Sequence, residues 1–199
     1  MKLRLLQKPS YGIVITPIVF AFSQVVILGY YWIFENYAGN LALTISEYVG
    51  LELWSSVFFA ICNIFIILLM FRYYLSMRKR MSTAWFILSI IQVVGFIGLS
   101  ICPHNAFLSG EAREIVSQIH ILMAKIMFLA MFGMMFERLR ISKFKNTAVT
   151  RVCLAFLAYG IAYIICYASN WNIFWNSVLI WESGYIYAFI GALILTRPH

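Results

Sequence analysis

Long apolar stretches alternate with short polar stretches along the whole chain. Six of the apolar stretches have close to the roughly 20 residues that an α-helix needs to cross a bilayer. They predict helices at about 11–34, 51–74, 83–102, 115–136, 152–168 and 173–196. The pattern therefore predicts an all-α, polytopic membrane protein, in which residues 1–199 form a single six-helix transmembrane bundle.

The charged residues divide between the two sides of this predicted bundle. Of the 15 lysines and arginines, all except Arg113 and Lys125 fall at the termini or near the second and fourth connections. Of the seven acidic residues, all except Glu137 and Glu182 fall near the other connections. Because cytoplasmic loops carry an excess of Lys and Arg, we expect both termini in the cytoplasm.

The composition excludes an ordinary soluble domain. The chain is 63% hydrophobic and 11% charged, whereas a soluble domain carries about 25% charged residues. The net charge of +8 is explained by the basic cytoplasmic connections, so no nucleic-acid partner is predicted. We expect membrane lipid as the partner, with a homo-oligomer or a membrane-complex partner left open.

Two ionisable residues lie deep inside predicted helices. Lys125 and Glu182 are each about 14 Å from the outer helix end at 1.5 Å per residue, a depth at which an unpaired charge is costly. One hypothesis is that they face the bundle interior and pair directly or through water. The alternative is that Lys125 snorkels or lines a wet crevice alone while Glu182 is protonated.

Two histidines complete the candidate site. His120 lies about one turn inside the fourth helix, and His104 follows the third helix beside Pro103. They are expected near Glu182, either as acid–base groups or as hydrogen-bonded ties between helix ends. No metal site or cofactor is predicted, because paired ligand spacings such as HxxxH and Gly-rich phosphate loops are absent from the sequence. A disulfide between Cys102 and Cys166, which share a predicted face, is left open.

Two stretches resemble a known family. The segment 44–50 (TISEYVG) precedes the helix that holds Asn63, and Gly98 and Pro103 precede a loop and the helical His120. Over about 17–136 the chain resembles the Frag1/DRAM/Sfk1-type superfamily of six-helix membrane proteins and its bacterial relatives. The resemblance implies both termini inside the cell and a role near membrane lipids. The expected location is a bacterial inner (cytoplasmic) membrane.

The chain departs from the pattern of that superfamily at two acidic positions. It has Glu47 where Asp is usual, and it has Asn105 after the proline where Asp is common. A carboxylate function at the second position is therefore not expected in this chain.

The leading functional hypothesis is an outer-leaflet polar pocket that binds a lipid headgroup or a small amphiphile. Its expected lining is His104, His120, Lys125 and Glu182, with Lys125 suited to an anionic group. One alternative is an intramembrane lipid-modifying enzyme with His120 as base or metal ligand. Others are a subunit of a larger membrane complex and a proton-coupled carrier, which the lack of an inverted repeat disfavours.

Overall fold

A computed structural model describes residues 9–35, 43–102, 109–168 and 178–197. Every regular element in these ranges is an α-helix. Six of the helices are long and apolar enough to cross a membrane, which confirms the predicted helix count and indicates an integral multi-pass membrane protein. The helices are α1 (Pro9–Phe34), α2 (Ile45–Val49), α3 (Leu53–Met77), α4 (Thr83–Ile101), α5 (Gly110–Ser142), α6 (Thr147–Ala168) and α7 (Val178–Leu195).

The six long helices pack in a closed ring in chain order. Each one contacts the next long helix along the chain, and α7 packs back against α1. Large side chains fill the middle of the ring, and Phe20, Tyr74, Met134 and Phe189 are almost fully buried there. Short connections favour this arrangement because they place successive helices side by side.

The short helix α2 lies at one end of the ring, where it contacts α1, α3 and α7. We call this end the α2 end. Its start is fixed by a capping box, in which the Thr44 hydroxyl accepts a hydrogen bond from the Glu47 backbone N–H at 3.1 Å. In return the Glu47 carboxylate accepts one from the Thr44 backbone N–H at 2.6 Å. Capping of this kind satisfies N–H groups that a helix start otherwise leaves unbonded.

Glycines bring α4 and α5 into close contact. A methyl group added at Gly95 would lie 3.0 Å from the Met123 carbonyl oxygen and from the Met127 backbone nitrogen. One added at Gly98 would collide with the Met123 side chain. Small residues allow such backbone approach in membrane helices, where packing replaces the hydrophobic effect as the driving force.

The end of the ring opposite to α2 is held by a network around Glu137. The Ser82 hydroxyl accepts from the Trp85 backbone N–H at 3.1 Å, which caps the start of α4. It also donates to the Glu137 carboxylate, which forms an ion pair with Arg140 at 2.6 Å. The network therefore ties α4 to the last turns of α5.

A second tie at that end joins α5 to α7. Two nitrogens of the Arg138 guanidinium donate to the Thr196 backbone carbonyl, Nε at 3.1 Å and Nη2 at 2.5 Å. This carbonyl is one of the groups that the end of α7 leaves without an intrahelical partner. Arg138 therefore caps α7 from a neighbouring helix.

Helix boundaries differ most from prediction at α5 and α6. The helix predicted at 115–136 runs from Gly110 to Ser142, and the one predicted at 152–168 begins at Thr147. The charged ends of α5 consist largely of good helix formers, so that helix continues after the apolar stretch stops. The start of α6 is capped by Asn146, whose side-chain oxygen accepts from the Val149 backbone N–H at 3.1 Å. The α3 helix is displaced by two or three residues from 51–74, and part of the stretch predicted at 173–196 lies outside the described residues.

Candidate functional site

A small cavity lies inside the bundle directly below α2. It has a volume of about 30 Å³ and is lined by side chains from α1, α2, α3, α4, α5 and α7. Most of the lining is apolar, including Phe20, Phe96 and Met127, and its polar members are Ser46, His120 and Glu182. This volume accommodates about two water molecules.

Glu182 enters the cavity from the second turn of α7. Its Oε2 accepts a hydrogen bond from the backbone N–H of Ile45, the first residue of α2, at 2.9 Å. This N–H is one of the donors that a helix start leaves unbonded. The carboxyl group of one spanning helix thus holds α2 in place over the cavity.

His120 enters the cavity from α5 and is buried. Its Nδ1 lies 2.6 Å from the backbone carbonyl oxygen of Cys102, at the end of α4. A carbonyl can only accept, so Nδ1 carries a proton and donates this bond. This bond ties the ends of α4 and α5 together, as the second hypothesis for the histidines expects.

A hydrogen-bonded group next to Glu182 connects α7 with α1. The Gln24 side-chain nitrogen donates to the Ser183 hydroxyl at 3.2 Å, and the Tyr187 hydroxyl donates to the Gln24 oxygen at 2.9 Å. These contacts fix the rotation of α7 about its axis, so that Glu182 faces the cavity. Gln24 and Tyr187 were not among the predicted site residues, because an isolated polar residue in an apolar helix gives no sign of its partner.

Lys125 does not reach the cavity. It is exposed on the outer surface of α5, and it forms no ion pair with Glu182. The geometry of the helix explains this placement. Five residues at 100° each place Lys125 about 140° around α5 from His120, so it faces outward when His120 faces inward. The structure therefore does not form the hypothesised pair of Lys125 and Glu182.

The remaining predicted groups have varied positions. His104 lies outside the described residues. Within the described part of the chain, no three His, Cys, Asp or Glu side chains are close enough to hold a metal ion. Cys102 and Cys166 form no disulfide with each other in this structure.

Helix α2 is the main part of the site that the hydropathy pattern does not predict. The predicted long connection 35–50 contains a helix whose Ser46 side chain and Ile45 N–H complete the cavity. A signal for it was present, because Thr44 and Glu47 have the S/T-x-x-E spacing of a capping box.

Comparisons with models of protein families, with curated proteins and with solved structures found no match for this chain.

Proposed function

We propose that this protein binds a membrane lipid or a small amphiphile whose polar group enters the cavity beneath α2. The observation that carries the proposal is the shared position of His120 and Glu182 in one cavity of an otherwise apolar bundle. Ionisable side chains within membrane segments are costly and generally mark functional sites. Apolar cavities with a few converging polar groups are the usual form of ligand sites.

The side chains at the cavity favour a ligand that donates hydrogen bonds. The oxygens of the Glu182 carboxyl group accept hydrogen bonds, and one of them already accepts the Ile45 N–H. Lys125, which was expected to bind an anionic group, lies on the outside of the bundle. A headgroup with hydroxyl or ammonium groups therefore suits the cavity better than a phosphate alone.

Headgroup entry requires α2 to move. Small-molecule pockets have volumes of about 300–1,000 Å³, whereas this cavity has about 30 Å³. Helix α2 has five residues, and so short a helix has little stability of its own. A ligand group that donates to Glu182 would replace the bond from the Ile45 N–H and release the start of α2.

We also propose that both termini are cytoplasmic, which places the cavity in the outer leaflet. The excess of Lys and Arg at the end of the bundle opposite to α2 supports this orientation. The resemblance of the segment 44–50 and of Gly98 to the Frag1/DRAM/Sfk1-type superfamily supports a role near lipids and a bacterial cytoplasmic membrane. Membership of that superfamily is part of the proposal.

The test compares retained lipid in near-isosteric variants. The protein is extracted gently from its own membrane and examined by native mass spectrometry with lipid analysis. Glu182→Gln keeps an acceptor oxygen for the Ile45 N–H but replaces the second carboxyl oxygen by an NH2 donor, and His120→Asn keeps a donor for the Cys102 carbonyl. Lys125→Met, outside the cavity, is the control.

We expect a defined lipid on wild-type protein and on the control. Its occupancy should fall about 10- to 100-fold in Glu182→Gln, because hydrogen bonds to charged groups contribute about 1.5–3 kcal/mol. His120→Asn should cause a smaller loss. If all four proteins carry only the bulk lipid mixture in equal amounts, the cavity is not a lipid site.

An intramembrane lipid-modifying enzyme is the second candidate, and one observation favours it. The bond from His120 Nδ1 to the Cys102 carbonyl orients the ring at the cavity, and an oriented histidine is the usual form of a general base. Product formation from the retained lipid, lost in His120→Asn while binding persists, would favour this candidate over simple binding.

A further inference from the structure

Lys125 lies at the middle of the membrane-spanning part of α5. It is the eleventh of the 22 residues in the apolar stretch 115–136. At 1.5 Å per residue it is therefore about 15 Å from either end of that stretch. This distance is half of the roughly 30 Å thickness of the hydrocarbon core.

The side chain of Lys125 faces away from the bundle. It is exposed, and its neighbours one turn to either side, Leu122 and Leu129, are 53% and 64% exposed. It lines none of the cavities along the bundle axis. Within the described residues it has no ion-pair partner, so the bundle itself does not compensate its charge.

Snorkelling covers only part of the distance to the headgroup region. A four-carbon lysine stem reaches about 6 Å, and the headgroup region begins about 15 Å away. The ammonium group therefore stays several ångströms inside the hydrocarbon. Ionisable residues at such depth almost always pair with one another, contact backbone carbonyls or face a water-filled space.

We propose that this face of α5 is an interface for a transmembrane helix of a different protein, which places a carboxylate opposite Lys125. Charge complementarity selects this occupant, because the positions within one turn of Lys125 on this face, Ile121, Leu122 and Leu129, are apolar and exposed. Interhelical contacts of this kind satisfy polar groups that lipid cannot.

A second copy of the chain does not offer the required carboxylate. All seven acidic residues are glutamates within the described ranges. Glu182 lines the cavity under α2, and Glu137 is paired with Arg140 at the opposite end. The other five lie in or near the connections at the α2 end, far from the middle of the bilayer: Glu35, Glu47, Glu52, Glu111 and Glu114.

The experiment uses photo-crosslinking in the native membrane. A benzoylphenylalanine is placed at Leu122 or Leu129, and the matched control is Ile61 on α3, which is 62% exposed. We expect both α5 positions to form one adduct with the same membrane protein, and the control to form none. The captured protein should carry an Asp or Glu in a predicted membrane span.

Charge reversal then tests the pairing. Lys125→Glu should lower the adduct yield on the order of thirtyfold or more, since loss of one partner of a buried charge pair is strongly unfavourable. Replacing the partner's acidic residue by Lys should restore the yield. Purified Lys125→Met should keep its Tm, because the residue is exposed and has no ion-pair partner within the described residues.

Three results would overturn the proposal. They are an adduct with a second copy of this chain, an adduct whose yield is unchanged by Lys125→Glu, and the absence of any specific adduct at Leu122 and Leu129. A fall in the Tm of purified Lys125→Met would assign the lysine to the fold instead. None of these results bears on lipid retention at Glu182, so the two proposals fail independently.

Discussion

The contact between α4 and α5 should be sensitive to a single added methyl group. In Gly95→Ala the new methyl would lie 3.0 Å from three α5 atoms, namely the Met123 carbonyl oxygen, the Met127 nitrogen and the Met127 Cβ. Two of the three belong to the backbone, so a change of side-chain rotamer cannot relieve the contact. The two helices must move apart instead.

The size of the effect follows from two opposing contributions. Alanine is favoured over glycine inside a helix by about 1 kcal/mol, and overpacking of a tight contact costs about 1–3 kcal/mol. At Gly191 nothing lies within 4 Å of an added methyl, so only the first contribution applies. The free energy of unfolding of Gly95→Ala should therefore be lower than that of Gly191→Ala by about 1–3 kcal/mol.

The bundle provides its own probe for the measurement. Cys153 is fully buried in α6, and Cys62 in α3 is 9% exposed, so a thiol-reactive dye reports thermal unfolding in detergent. A difference of 2 kcal/mol corresponds to a Tm difference of about 4–8 °C for a chain of this size. Gly98→Ala should fall between the other two variants, because it meets the flexible Met123 side chain rather than backbone.

The result bears directly on the cavity. Helix α4 contributes Phe96 to its lining and α5 contributes His120 and Met127, so separation of these helices changes its shape. Equal Tm values for Gly95→Ala and Gly191→Ala would refute the argument that close backbone approach at Gly95 fixes the α4–α5 spacing.

Two further predictions concern the end of the bundle opposite to α2. Ser82→Ala removes the cap of α4 and a donor to Glu137, and we expect the free energy of unfolding to fall by about 1–2 kcal/mol, measured as a Tm shift against Ser82→Thr. Arg138→Ala leaves the Thr196 carbonyl without its Arg138 donors, which should lower the free energy of unfolding by about 1.5–3 kcal/mol. Arg138→Lys should recover part of this loss. Both variants should show faster amide hydrogen exchange in the last turn of α7.

Hydropathy was sufficient to predict the six spanning helices, because the bilayer imposes a length and a composition on each of them. It did not predict where α5 ends, because Arg138 and Arg140 follow the apolar stretch but still belong to the helix. Nor did it predict α2, which is too short to give an apolar period. Local capping chemistry, through Thr44 and Glu47, was the signal for that element.

The candidate site was predicted only in part, because the sequence does not show how each helix is rotated about its axis. The sequence places Glu182 and His120 inside helices but does not show which faces the bundle presents to its own interior. The contacts of Gln24 with Ser183 and Tyr187 set the rotation of α7, and such long-range contacts are not visible in hydropathy. Because the rotation of α5 is likewise not visible in the sequence, Lys125 was expected in the pocket.

The different positions of Glu182 and Lys125 connect the two proposals. The bundle supplies Glu182 with a backbone donor at the start of α2, so a ligand that takes this carboxylate must compete with α2. Among the described residues it supplies Lys125 with no ion-pair partner. Charge inside a bilayer has to be compensated. For Glu182 this indicates that a ligand and the start of α2 compete for the same carboxyl group. For Lys125 it indicates that a neighbouring protein supplies the carboxylate.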